Sequence, residues 1–189
     1  MQIGKPKIKS WRYALSFIWE TAKIVIIALA IIIPIRYFLF QPFFVRGASM
    51  EPNFEDGEYL IINEIEYRFH EPARGDVIVF RYPNDPSQFY IKRVIGLPSE
   101  TVKIENGKVI ISNENNPAGF VLNEPYLSDE NKFTSGNADV TLDENEYFVL
   151  GDNRSASSDS RRWGLLPRHY IIGKAWLRAW PINKVEILK

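Results

Sequence analysis

Between residues 17 and 40 the chain is apolar around the whole circumference of any helix drawn through it. Residues 24–35 read IVIIALAIIIPI without a charge, and after Arg36 the apolar character resumes as YFLFQPFFV. A soluble core helix shows an apolar stripe and a polar face, and this run has no polar face. Phe17 to Phe40 is 24 residues, about 36 Å as a helix and enough to cross a hydrocarbon layer of roughly 30 Å. The pattern predicts a transmembrane anchor over 16–40 behind a short tail at 1–15. Glu20 and Lys23 can pair at the inner interface, and Arg36 can reach the outer headgroups. Pro34 marks a kink or an earlier helix exit. The sequence that follows, RYFLFQPFFVRGAS, is bulky and offers no small-x-small cleavage site, which favours a retained anchor over a removed signal segment.

Beyond residue 40 the period changes to short alternating runs broken by turn residues. GEYLIINEI (57–65) and GDVIVFRY (75–82) are rich in β-branched and aromatic residues, and PNDPSQ (83–88) separates the latter from FYIKRVIGL (89–97) in a predicted hairpin. TVKIENGKVIIS (101–112) is a second hairpin, with Asn106-Gly107 suited to a two-residue turn of positive φ. Residues 113–140 are polar and read as an excursion from the core. EYFVLGD (146–152) returns as a strand, and the last stretch supplies one more strand and a tail. The expected fold is mainly β: an antiparallel, barrel-like sheet domain over 41–189 with a single N-terminal transmembrane helix.

The formal net charge is zero, yet residues 1–23 carry five cations and one acid, a net +4, leaving −4 for the rest. A basic flank before an apolar span is normally retained in the cytoplasm, which would put the β domain outside the cell membrane. The mildly acidic domain has no basic stripe for nucleic acid. There are no cysteines, so disulfides, Cys metal sites and thiol nucleophiles are excluded.

Only His70 and His169 are available for a histidine-based triad or zinc site. Both sit in turn-like or strand-start surroundings, without the spacing of a metal motif. Lysine is the other candidate base, provided burial keeps its amine neutral. Lys92 lies in the middle of FYIKRVIGL, where a strand sets Tyr90, Lys92 and Val94 on one face. It either guards an edge strand against aggregation or is buried for use. GDNRSASSDSRRWG (151–164) concentrates serines, acids and arginines in one segment, either as a solvated loop or as a scaffold for a serine–lysine pair.

Four blocks in order, GASMEP, RGDVIVFRYPNDP, YIKRVIGLPSE and GDNRSASSDSRRWG, resemble the bacterial type I signal peptidases, membrane-bound Ser/Lys endopeptidases. The likeness runs over nearly the whole chain. It implies that Ser49 is the nucleophile and Lys92 its general base, that Ser157 hydrogen-bonds the lysine, and that Asp159 and Arg161 form a supporting ion pair. It implies no metal or cofactor, preproteins with small residues at −1 and −3 as substrates, and membrane lipid as a partner. Whether 113–140 meets the translocation machinery stays open. An extended substrate would add to the strand edges near Phe43–Val45 and Tyr90-Ile91, with Phe43, Val45, Met50, Phe54, Val79, Tyr90 and Ile91 as expected pocket residues. Two positions depart from the pattern. Gly47 stands where some members carry a serine that helps hold the oxyanion, leaving that work to the backbone N–H of Ser49, and Ala156 stands where many carry asparagine. A self-cleaving Ser/Lys regulator and a non-catalytic membrane-anchored β module that binds secreted chains are the competing readings.

Overall fold

The computed structural model describes residues 10–38 and 40–188. They fall into two units, Met1–Leu39 and Phe40–Lys189. In the first, helix α1 runs from Ser10 to Phe38 and passes through Pro34 without ending there. It starts earlier than the expected anchor because SWRYAL is compatible with helix although it is not strongly apolar. Its stretch Tyr13–Ile33 has a mean hydropathy of 2.1 and none of it is buried. Residues 1–9 of the basic tail and the side chain of Arg36 lie outside the described residues.

The second unit is built from antiparallel strands. In chain order these are β1 (Phe40–Phe44), β2 (Tyr59–Asn63), a short helix α2 (Glu66–Phe69), β3 (Val77–Tyr82), β4 (Asp85–Gly96), β5 (Thr101–Glu105), β6 (Lys108–Asn113), β7 (Asn116–Val121), β8 (Ala138–Thr141), β9 (Glu146–Leu150), helix α3 (Ser160–Trp163), β10 (Leu166–Pro167), β11 (Ile171–Trp180) and β12 (Glu186–Ile187). The larger sheet has the order β1-β2-β11-β3-β4-β9-β10, with β12 on β11, and the smaller one the order β7-β6-β5-β8.

Period-2 alternation explains why the larger sheet is buried on both faces. Along β3, Val77 and Val79 enter a core with Met50, Leu60 and Ile62, while Ile78 and Phe80 enter another with Val94, Tyr147 and Val149. A third core sits under the smaller sheet, where Val102, Ile104, Val109 and Ile111 meet Ile95, Phe148 and Leu150. The turn between β5 and β6 has φ of 52° at Asn106 and 76° at Gly107, the positive pair that a two-residue hairpin of this kind requires.

Two segments differ from their pattern. The loop expected over 83–88 is only the two-residue turn at Pro83 and Asn84, since Asp85 already pairs with Tyr82. The polar residues Pro86, Ser87 and Gln88 are absorbed where the register shifts between Arg81–Phe89 and Tyr82–Asp85, a bulge that needs no apolar side chains. The segment 113–140 does not leave the fold: β7 and β8 from it flank the β5-β6 hairpin. Pro117 and Gly119 in NPAGFV hide its strand character from a pattern based on β-branched residues.

Candidate active site

Ser49 stands in the turn that follows β1. Backbone bonds from Val45 N–H to the Glu58 carbonyl (2.9 Å) and from Gly57 N–H to the Val45 carbonyl (3.1 Å) close this turn. The Asp56 carboxylate accepts from the Gly47 N–H at 2.6 Å. Gly47 has φ of 83°, a conformation open to glycine and strained for a serine. On the far side of Ser49, Met50 and Phe54 are buried in the core with Leu60 and Val79, so the serine is held at the surface by its neighbour's burial.

Lys92 lies in β4, paired with Ile78 of β3 and immediately before the stretch Arg93–Gly96 that also pairs with β9; its burial, not a second strand partner, separates it from the solvent-facing edge guard that its sequence allowed. It is only 3% exposed. Its Nζ donates to Ser49 Oγ at 2.8 Å and to the Ile91 carbonyl at 2.8 Å, and lies 5.4 Å from the centroid of the Tyr90 ring. Burial disfavours the ammonium form and pulls the lysine pKa down to about 8, against the opposing pull of the Asp159 and Asp152 carboxylates.

The loop after β9 closes over this pair. Asp159 caps α3, accepts from the Gly151 N–H at 3.1 Å and receives the Arg161 guanidinium in a two-point bond of 2.8 and 2.7 Å. Such planar paired bonds fix both partners. A Cβ at Gly151 would come within 2.2 Å of Ser157 Oγ and 2.4 Å of the Ser49 carbonyl, so glycine permits the loop backbone to lie directly on the serine. Ser157 is beside them and buried. Its hydroxyl makes no hydrogen bond among the described residues, whereas the resemblance assigned it a bond to the lysine.

Three anchors of this loop escaped the sequence pattern. Asp152 receives Arg93 in a two-point bond of 2.8 and 2.6 Å and accepts from Asn53 Nδ2 at 2.8 Å. The Arg154 guanidinium, 1% exposed, donates to the Gly151 carbonyl at 3.0 Å, to Thr134 Oγ1 and to the Glu124 carboxylate. Asn153 donates from its backbone to the Ser49 carbonyl and from its side chain to the Ala48 carbonyl, both at 3.1 Å. Only the adjacency of opposite charges within the segment hinted at any of these.

A cleft of about 630 Å³ opens at the pair. Of the expected pocket residues, Phe43, Val45, Val79, Tyr90 and Ile91 line it, together with Ser49 and Lys92. Met50 and Phe54 do not, because both are consumed by the core. Leu60, Gln88, Phe89, Ala156 and Ser158 line it unannounced. Leu60 is there because it pairs with Phe43 across β1-β2. Two main-chain edges border the cleft: β1 ends its sheet, and β9 pairs only with Arg93–Gly96 of β4, leaving the stretch before Arg93 without a partner on that side. Such edges can take up an extended peptide.

The family model described as signal peptidase, peptidase S26, matches residues 18–180. The chain is 35% identical over 175 residues to a probable signal peptidase I-2 of Synechocystis, covering 89% of this chain and 76% of that one. It is 38% identical over 174 residues to signal peptidase I of Leptolyngbya laminosa, covering 88% and 81%. With a signal peptidase I of Bacillus amyloliquefaciens it shares 36% identity over 181 residues and 90% of each chain.

Proposed function

The chain belongs to the S26 signal peptidase family, serine proteases that remove signal peptides from preproteins, and on that premise we propose that it cuts with a Ser49/Lys92 dyad after small-x-small sites. The observation that carries this reading is the 2.8 Å contact between Lys92 Nζ and Ser49 Oγ, made by a lysine whose burial favours the neutral amine. A neutral amine can accept the Oγ proton.

As the Oγ–C bond forms at the scissile carbonyl, the proton passes from Ser49 to Lys92, and negative charge gathers on the carbonyl oxygen beside the Ser49 N–H. The Lys92 ammonium then protonates the amine as the C–N bond breaks. Water, deprotonated by Lys92, attacks the acyl ester and frees Ser49. An extended substrate places residues −1 and −3 on one side of its strand. Val45, Leu60 and Val79 line the cleft while nearly fully buried, so they offer shallow apolar walls suited to methyl-sized side chains.

The test is cleavage of an Ala-x-Ala preprotein by the full-length protein between pH 6 and 10. Protonation removes the base, so kcat/KM is expected to rise about tenfold per pH unit below a pKa near 8 and to level off above it. A flat profile, or cutting elsewhere, would end this reading.

α1 is the membrane anchor in this proposal, with the basic tail in the cytoplasm and the β domain outside. Protease protection in right-side-out membrane vesicles tests that orientation. Lipid contact is supported by an exposed aromatic row across three strands, Phe44 (47%), Tyr59 (45%) and Trp180 (50%), aligned by the registers Phe44–Tyr59 and Tyr59–Trp180. Such side chains favour the headgroup interface. Phe44 also lines the cleft and is left in place; replacing Tyr59 and Trp180 by serine is expected to slow preprotein cleavage in vesicles several-fold and to leave hydrolysis of a short peptide in detergent unchanged. Equal losses in both assays would remove lipid from the explanation.

A further inference from the structure

We infer that Asn153 is a positioning residue for the oxyanion donor, holding and polarising the peptide group between Ala48 and Ser49; this rests on the dyad reading above. The Ala48 carbonyl and the Ser49 N–H belong to one planar unit. Whatever fixes the carbonyl therefore fixes the direction of the N–H. The Ala48 carbonyl accepts two hydrogen bonds, from the Glu51 N–H at 3.2 Å and from Asn153 Nδ2 at 3.1 Å. The next carbonyl, that of Ser49, is held by the Asn153 N–H at 3.1 Å. One residue thus grips both peptide groups that flank the serine Cα.

The Ser49 N–H has no acceptor among the described residues, although Ser49 lines the cleft. A donor left free beside the proposed nucleophile is what a developing oxyanion needs. Hydrogen bonds accepted by a carbonyl also strengthen donation by the N–H of the same peptide group. Gly47 brings no side-chain donor to the cleft, so the full demand falls on this one N–H.

Asn153 is itself held. Its Oδ1 accepts from Ser155 Oγ at 3.0 Å and from the Ala156 N–H at 3.2 Å, and this settles which end of the amide faces Ala48. Its neighbours are locked on both sides, Asp152 by Arg93 and Asn53 and Arg154 by Glu124 and Thr134. The amide therefore does not have to be reordered when charge develops on the substrate.

The experiment uses the full-length protein in detergent, with Asn153→Ala and Asn153→Asp beside Ser49→Ala. Kinetics are read on an Ala-x-Ala peptide, and binding on the corresponding peptide aldehyde and on a non-cleavable peptide. The aldehyde forms a tetrahedral adduct: Ser49 Oγ adds to its carbonyl carbon, the C=O π bond opens onto the oxygen, and the Oγ proton passes to Lys92. Loss of a direct oxyanion donor costs about 10²–10³ in rate, and loss of its support is expected to lower kcat roughly 10- to 100-fold with KM within about twofold. Aldehyde affinity should fall in the same proportion, while affinity for the non-cleavable peptide and the midpoint of the pH profile stay at wild-type values. Asn153→Asp keeps both acceptor contacts and loses the donor, so its defect should be at least that of the alanine variant. It also decides the matter if Asn153→Ala does not fold, and failure of both to fold would overturn the inference in favour of a purely structural role. A rise in KM in step with the fall in kcat, an unchanged aldehyde affinity, or an Asp variant of wild-type rate would overturn it as well. If Ser49→Ala is inert while both Asn153 variants cut normally, this inference alone falls. If Ser49→Ala cuts normally, the dyad reading falls first.

Discussion

Ser49→Ala and Lys92→Met are each expected to slow preprotein cleavage by about 10⁴-fold or more, and the double variant to be no slower than either. The lack of additivity follows from the geometry. In the proposed mechanism every proton the lysine moves, from Ser49 Oγ, to the leaving amine and from the deacylating water, serves the acyl chemistry on Ser49, so either loss leaves the other residue idle. Stability separates the two variants. Ser49 is half-buried at the edge of a turn, and its alanine variant should melt close to wild type. Lys92 is different, because its folded pKa of about 8 lies below the ordinary lysine value of 10.5. The unfolded chain therefore binds more protons between those values, and wild-type stability rises with pH across that window. Below about pH 8 the fold carries the whole cost of a buried ammonium, about 3 kcal/mol at 1.36 kcal/mol per unit. Lys92→Met is thus expected to raise the melting temperature at pH 6–7, with the gain fading above pH 10.5. A variant less stable than wild type at pH 6 would show that the amine is not held against its charge, and a double variant far slower than either single one would show that the two residues act separately.

Arg154→Met is expected to destabilise the β domain by about 3–5 kcal/mol, the cost of leaving a buried carboxylate without its partner. The guanidinium is buried with Glu124, whose side chain is 10% exposed, and it also satisfies Thr134 and the Gly151 carbonyl. Glu124 and Thr134 belong to the segment between β7 and β8, so the same ion pair ties the smaller sheet's connection to the loop over Ser49. A second change, Glu124→Leu, removes the stranded charge and should recover much of the lost stability, while cleavage stays impaired because the loop has lost its tether. Thermal melts of the two variants decide this, and a single variant within 1 kcal/mol of wild type would mean that the pair is not desolvated.

The polar run from 113 to 140 was the least legible part of the chain. Its side chains are the ends of long-range ion pairs and hydrogen bonds, and polarity alone does not distinguish a residue bound to a distant loop from one bound to water. Pocket residues were readable only in part for a related reason. Met50 and Phe54 are as apolar as Phe43 and Val45, and whether a side chain faces core or cleft is a property of register and turn geometry rather than of residue type. Ser157 shows the limit of transferring a motif: the residue is at the dyad, yet its hydroxyl is not bonded to the lysine.

What the sequence by itself determined is what depends on neighbours along the chain. The uninterrupted apolar run specifies α1, because a helix of that length without a polar face has no other solvent. Asn106-Gly107 specifies its hairpin, because few other pairs adopt two positive φ angles. The apolar runs of β3 and of the second half of β4 specify strands buried on both faces. The tertiary structure decided what depends on pairing between strands and loops distant in sequence. It set Lys92 Nζ 2.8 Å from Ser49 Oγ across 43 residues and brought Arg154 to Glu124 and Asn153 to the Ala48 carbonyl. The lysine's lowered pKa belongs to the same group, since burial by a folded neighbourhood disfavours its charge and no sequence window contains that neighbourhood.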